Sequence, residues 1–213
     1  LFKSEFDLNK NISELKLGEL EAVNKNLWSG LYKNITLMEE IFLIINKCFK
    51  VANNSIFGLK RPVLCNTPNV KINFPFNASH NIDVHQDIHS HLGSLNSITM
   101  WIPLQDTKNI MGPIEYIPGS HRLIRNAKNG ILTDKFKNNI FKSMNVSLGE
   151  CLIFSQLLVH KSVENKSKKA RVSMQIRFND LASSEWKDRN YYSVEKKIRE
   201  KPNSKMKKIF KLN

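Results

Sequence analysis

From Val63 onward, apolar and polar residues alternate in short runs separated by Pro, Gly and Asn, the pattern of strands in an antiparallel sandwich or barrel. The clearest run spans residues 170–178. There Val172, Met174, Ile176 and Phe178 alternate with Arg171, Ser173, Gln175 and Arg177, which predicts one apolar and one polar face. Ile98, Met100 and Ile102 alternate with Ser97, Thr99 and Trp101 in the same way. Before Val63 the period lengthens. Leu15, Leu17, Leu20, Val23 and Leu27 predict an amphipathic helix over residues 13–27, and Thr36 with Glu39 resembles a capping box opening a second helix toward Lys50. The expected organisation is one domain over residues 1–213: bracing helices in 1–60, a mainly β core in 61–180, and a basic segment in 181–213. Within the core, the lysine-rich insertion at 119–147 is the expected lid, and a surface helix over 133–141 with Phe136 and Ile140 on its buried side is compatible with that role.

Composition narrows the class. A chain of 213 residues with 41% hydrophobic content can bury a sizeable core, and its most apolar run, Ile41 to Ile45, is far too short to span a bilayer. Cys48, Cys65 and Cys151 are odd in number and far apart, which indicates neither a disulfide framework nor a zinc knuckle and makes a reducing cytoplasm the expected location. The chain opens on Leu1, so a targeting segment ahead of it is left open. The net charge of +14 raises the question of nucleic acid, yet only seven of the 33 basic residues are arginines and no aromatic-interleaved basic motif occurs. Half of that charge lies in residues 187–211, with ten basic and three acidic side chains, and reads as a solvated segment. The expected partner is therefore a small-molecule substrate, an anionic one being compatible with the charge, with no nucleic acid and no membrane span.

Candidate chemistry centres on His85-Gln86-Asp87, followed 73 residues later by His160 and then by Arg171. Two imidazole nitrogens and one carboxylate oxygen can occupy one face of an octahedral metal and leave three positions for small molecules, the arrangement of non-haem Fe(II) oxygenases. On an extended strand His85 and Asp87 would share a face while Gln86 points elsewhere. His160, beyond the apolar run Cys151 to Phe154, is the best-placed third ligand. Alone, each residue has a plainer reading: His-x-Asp as a solvated loop, Trp101 as core, and Arg171, after Lys168-Lys169, as surface charge. His89 and His91 read as pocket or loop residues because Gly93-Ser94 ends the strand, and His121 in Pro118-Gly119-Ser120-His121 reads as a structural turn.

The stretches HQDIHSHLGSLNSITMWIPLQD, GPIEYIPGSHR and GECLIFSQLLVHKSVENKSKKARVSMQIRF, in that order over roughly residues 70–180, resemble the phytanoyl-CoA dioxygenase family. The resemblance implies a double-stranded β-helix, a jelly roll of cupin-like type, and an Fe(II)- and 2-oxoglutarate-dependent dioxygenase. It implies His85, Asp87 and His160 as metal ligands, Arg171 as partner of the far carboxylate of 2-oxoglutarate, and Trp101 beside that cosubstrate. Gln86, Ser162 and Val70 fall on cosubstrate-contacting positions, and Ser173 would share the face of Arg171. A guanidinium fork suits a carboxylate, in agreement with that assignment. With O2 as second cosubstrate, the implied outcome is hydroxylation of an unactivated carbon of a small-molecule or lipid- or sugar-type substrate, with release of succinate and CO2. The carboxylate of Asp87 fills the position that related halogenating enzymes leave to halide, which favours hydroxylation. A catalytically silent metal-binding jelly roll and a cupin-type non-oxidative enzyme are the alternatives; neither requires Arg171.

Overall fold

A computed structural model of the protein describes residue 30 and residues 34–65, 68–78, 81–91 and 93–185. The expected helix over 13–27 and most of the basic C-terminal segment lie outside these residues. Among the described residues the order of main elements is α1 (Glu39–Ala52), β1 (Pro62–Leu64), β2 (Asn69–Asn73), β3 (Ile98–Pro103), β4 (Ile114–Tyr116), β5 (Ala127–Lys128), β6 (Ile131–Leu132), β7 (Lys142–Ser143), β8 (Leu152–Ser155), β9 (His160–Ser162) and β10 (Arg171–Asp180). All strand pairs are antiparallel. A five-stranded sheet runs β1-β10-β3-β8, with β2 sharing the β1 side of β10; β7-β4-β9 form a second sheet, and β5-β6 a hairpin. The architecture is mainly β with a flanking helix, a jelly roll.

Period-two alternation along β10 and β3 builds the core on one side of the large sheet. Met174, Ile176 and Phe178 join Ile98, Met100 and Ile102, and Val70 of β2 lies directly opposite Met174 in the same cluster. Helix α1 covers this layer with Ile41, Ile45, Cys48 and Ala52, spaced four, three and four residues apart and therefore on one stripe. The Phe49 ring meets that of Phe178 edge-on, with centroids 5.0 Å apart. The opposite face of the sheet carries Trp101 and Phe154, which pack with Ile114, Val146 and Leu158 toward the second sheet.

Two expectations about local structure are corrected. Helix α1 begins at Glu39 with Met38 as its N-cap and no side-chain cap bond, while Thr36 lies in helical residues 34–36 ahead of a turn at Leu37; the capping box does not form. Glu39 and Glu40 in the first turn favour the positive helix end instead. No helix forms over 133–141, where a 3-10 turn at Asn138–Ile140 is followed by β7. Asparagine favours turns over helix interior, Ile140 is exposed, and Phe136 packs on Phe141 with Arg125 over its ring. None of the three cysteines forms a disulfide, and no helix among the described residues is long and apolar enough to cross a membrane.

Because Phe178 is fully buried between α1 and β3, Phe178→Ala should cost about 3–5 kcal/mol, whereas Leu43→Ala on the exposed side of α1 should change stability by less than about 0.5 kcal/mol. Urea unfolding of the two variants beside the parent protein checks this, and equal losses would contradict the packing of α1 on the sheet.

Candidate metal centre

The polar faces of β10 and β3, together with the chain segments around His85 and His160, enclose the site. His85 and His160 are locked backbone to backbone: each N–H donates to the other's carbonyl, at 2.9 and 3.0 Å. Gln86 is extended and the chain then enters a 3-10 turn, Asp87–His89. The expected strand thus ends one residue before Asp87, but the extended Gln86 still returns Asp87 to the side of His85. His160 opens β9 in the three-stranded sheet, whereas the apolar run before it forms β8 in the other sheet.

One ligand atom from each of His85, Asp87 and His160 lies within 4.8 Å of the others, and all three residues are buried. Asp87 Oδ1 is 3.5 Å from His85 Nε2 and 3.9 Å from His160 Nε2. Two metal bonds of roughly 2.1 Å place their donors about 3–4 Å apart, so this spacing suits a shared ion. His85 Nδ1 donates to the Asp83 carbonyl at 2.8 Å and His160 Nδ1 to that of Leu158 at 2.9 Å. With the proton on Nδ1, each Nε2 lone pair faces Asp87. Burial pushes His160 down to about 4, more than the nearby Asp87 carboxylate restores, which keeps the imidazole neutral and able to bind a metal.

Asp87 is held by two residues that sequence reasoning did not single out. Thr99 Oγ1 donates to Asp87 Oδ2 at 2.7 Å, and Arg177 reaches Oδ2 through Nε at 3.2 Å and Oδ1 through Nη2 at 3.3 Å. Burial alone would raise the pKa of this carboxyl. The Arg177 guanidinium paired with it outweighs that effect and holds Asp87 well below the usual carboxylate range. Both residues were visible as polar positions of their strands; the alternation did not reveal that they meet Asp87.

Arg171 is buried at the start of β10. Its Nη2 donates to Asn73 Oδ1 at 2.7 Å and its guanidinium carbon lies 5.3 Å from the Trp101 ring centre, while Nε and Nη1 find no hydrogen-bond partner among the described residues. Burial lowers its pKa to about 10, so it stays charged at neutral pH. Ser173, two residues on, is fully buried with its Oγ likewise unpartnered. Two unpaired guanidinium nitrogens and a hydroxyl on one buried strand face are a cradle for an anion.

Other candidates fall elsewhere. Val70 belongs to the core under α1, on the face of the sheet away from Arg171, so it does not reach the site. Gln86 is fully buried, but its amide is committed to backbone: Nε2 donates to the Leu123 and Leu157 carbonyls and Oε1 accepts from Arg125 N–H. It braces the segment that follows β4 and offers no free group to a cosubstrate. Ser162 lies two residues after His160 and accepts a hydrogen bond from Lys71. His89 and His91 stand outside the ligand triad, and burial pushes His91 down to about 4. His121 sits in the exposed 3-10 turn Ser120–Arg122.

Comparisons with known proteins bear on the fold and the family. An apo structure of ThoJ, a non-haem monooxygenase, is 20% identical, with a TM-score of 0.51 over 61% of this chain and 53% of that one. EvdO2 from Micromonospora carbonacea var. aurantiaca is 15% identical, with a TM-score of 0.52 over 63% of this chain and 58% of that one. These likenesses establish the shared fold, and the chain spans about half the length of the solved structures it matches. A search of curated proteins finds no match. The sequence matches the phytanoyl-CoA dioxygenase family, PhyH, over residues 46–173. With more than half of its length so matched, the chain belongs to the phytanoyl-CoA dioxygenase family.

Proposed function

We propose that the protein is a non-haem Fe(II)- and 2-oxoglutarate-dependent dioxygenase that hydroxylates an unactivated carbon of a small-molecule or lipid- or sugar-type substrate. The observation that carries this reading is the pairing of a buried His-Asp-His cluster with a buried arginine, two of whose nitrogens have no hydrogen-bond partner among the described residues. The donor set fits Fe(II): two neutral imidazoles and one ionised carboxylate fill one face of the ion and leave the other open. The unpaired guanidinium nitrogens fit a carboxylate. When bound, iron and 2-oxoglutarate supply the activation of dioxygen, with succinate and CO2 as co-products.

The chain's own residues supply position and charge. His85, Asp87 and His160 would hold the ion; the backbone bonds between the two histidines and the carbonyls on their Nδ1 atoms fix the ring orientations beforehand. Thr99 and Arg177 steer Asp87 so that Oδ1 faces both imidazoles. Arg171, with Ser173 and the Trp101 ring, would receive the far carboxylate of 2-oxoglutarate and so set the distance from that anchor to the metal. Ser162, two residues beyond His160 and bonded by Lys71, would stand near the same group. Residues 119–147 are the proposed cover over the substrate. Their first half is tied to the metal-binding strand, since Leu132 N–H donates to the Val84 carbonyl and Ile131 bridges His85. Closure of the site would therefore act directly on a ligand.

Anaerobic protein loaded with Fe(II) should bind 2-oxoglutarate and develop a weak visible charge-transfer band. Protein shown to hold iron but giving neither a band nor calorimetric binding would overturn the cosubstrate reading. Two substitutions separate the roles. Asp87→Ala should reduce iron affinity by about 10-fold or more, because a direct ligand is lost, while Arg171→Ala should leave iron affinity within about twofold and weaken 2-oxoglutarate binding by roughly 10- to 100-fold. Equal loss of iron in both folded variants would contradict the assignment. Arg177→Met leaves Asp87 as a buried uncompensated charge, so the metal-free protein should lose about 3–5 kcal/mol of stability. Saturating Ni(II) should recover much of that loss by supplying a new positive partner. Melting temperatures with and without Ni(II) measure the difference, and an equal deficit in both conditions would count against a shared role at Asp87.

A further inference from the structure

The site contains a further cation. Strand β2 lies against β10 with Lys71 directly opposite Ser173 and Asn73 opposite Arg171, so Lys71 shares the cavity face of Ser173 and Arg171. Its ammonium reaches across to β9 and donates to Ser162 Oγ at 3.4 Å, a long contact that leaves most of its donor capacity unused. Burial, then Arg171, then Arg177 push Lys71 down to about 8, and no carboxylate offsets them. The nearest acidic group in the site, Asp87, is already bonded to Arg177 and Thr99. A partly buried ammonium beside two guanidiniums, with no anion facing it among the described residues, is an unfavourable arrangement. An incoming anion relieves it.

Resting on the 2-oxoglutarate reading above, we propose that Lys71 is a second binding residue for the far carboxylate of 2-oxoglutarate, gripping it together with Arg171 and thereby selecting a dicarboxylic over a monocarboxylic 2-oxoacid. The placement favours the cosubstrate over a substrate anion. Lys71 pairs with Ser173, two residues from the anchor Arg171 and four from Arg177 beside the metal ligand, and its tip meets Ser162, two residues beyond His160. It thus bridges the anchor and the metal-binding strand, the interval a bound 2-oxoglutarate has to cross. Arg171 and Ser173 already present three donor atoms with no hydrogen-bond partner among the described residues, and the ammonium adds the second positive charge.

The experiment compares 2-oxoglutarate with 2-oxopentanoate, which keeps the metal-facing oxoacid and lacks the far carboxylate. Both are titrated calorimetrically, under anaerobic conditions, into Fe(II)-loaded parent protein, Lys71→Met and Lys71→Arg. Lys71→Met should weaken 2-oxoglutarate by roughly 10- to 100-fold and alter 2-oxopentanoate by less than about twofold, while Lys71→Arg retains most of the affinity for 2-oxoglutarate. Unchanged 2-oxoglutarate affinity, or equal losses for the two acids, would overturn the role of Lys71. If Lys71→Met loses iron or melts early, Lys71→Gln and Lys71→Arg carry the comparison, and the charge-retaining variant failing like the neutral one would likewise overturn it. Parent protein that binds no 2-oxoglutarate defeats the cosubstrate reading itself; parent binding matched by Lys71→Met defeats the Lys71 proposal alone.

Discussion

The site depends on the two-sidedness of β10. A pleated strand gives every second residue to each face, and here one face must fill the core under α1 while the other lines a polar cavity. A shift of one residue would send Met174, Ile176 and Phe178 into the cavity and Arg171, Ser173 and Arg177 into the hydrocarbon layer. The cost of burying two guanidiniums in that layer enforces the register of β10 against β3 and β2, and with it the positions of Arg171 and Arg177 relative to the metal ligands. Core packing and site geometry are consequences of the same alternation.

Electrostatics then divides the two arginines. Arg177 has its anion within the protein, in Asp87; its charge keeps that carboxylate ionised, and with Thr99 it aims the carboxylate at the two imidazoles. Among the described residues Arg171 has the amide oxygen of Asn73 and the face of Trp101, and two of its nitrogens find no hydrogen-bond partner there. Buried polar atoms are nearly always satisfied, so an incompletely satisfied arginine in a cavity marks where a ligand completes the bonding. The same reasoning extends to Ser173.

Much of this was legible in the chain. Alternation in 170–178 and 97–102 identified the faces of β10 and β3, and the His-x-Asp pair with the later histidine and arginine named the residues that the fold brings together. The reading was weaker where local signals compete. Thr36 and Glu39 have the spacing of a capping box, yet the helix starts after Met38; Phe136 and Ile140 have helical spacing, yet Asn138 and its neighbours turn the chain. Val70 was drawn toward the site by resemblance, whereas its pairing with Met174 places it in the core. Gln86 lies between two candidate ligands, and only the three-dimensional arrangement shows its amide spent on the backbone of Leu123, Arg125 and Leu157.

By itself the sequence determined which side chains are chemically able to serve a metal and a carboxylate, and which strand faces carry them, because residue type and period-two spacing are local properties. It did not determine contacts made across the sheets. That Arg177 and Thr99 hold Asp87, that Lys71 faces Ser173 and reaches Ser162, and that His85 and His160 pair through their backbones depend on strand order and register. Apart from the Thr99–Asp87 bond, which spans 12 residues, those are decided only when the chain closes segments some 70 to 100 residues apart, since the burial that selects one register over another is a property of the assembled layers and of no single segment.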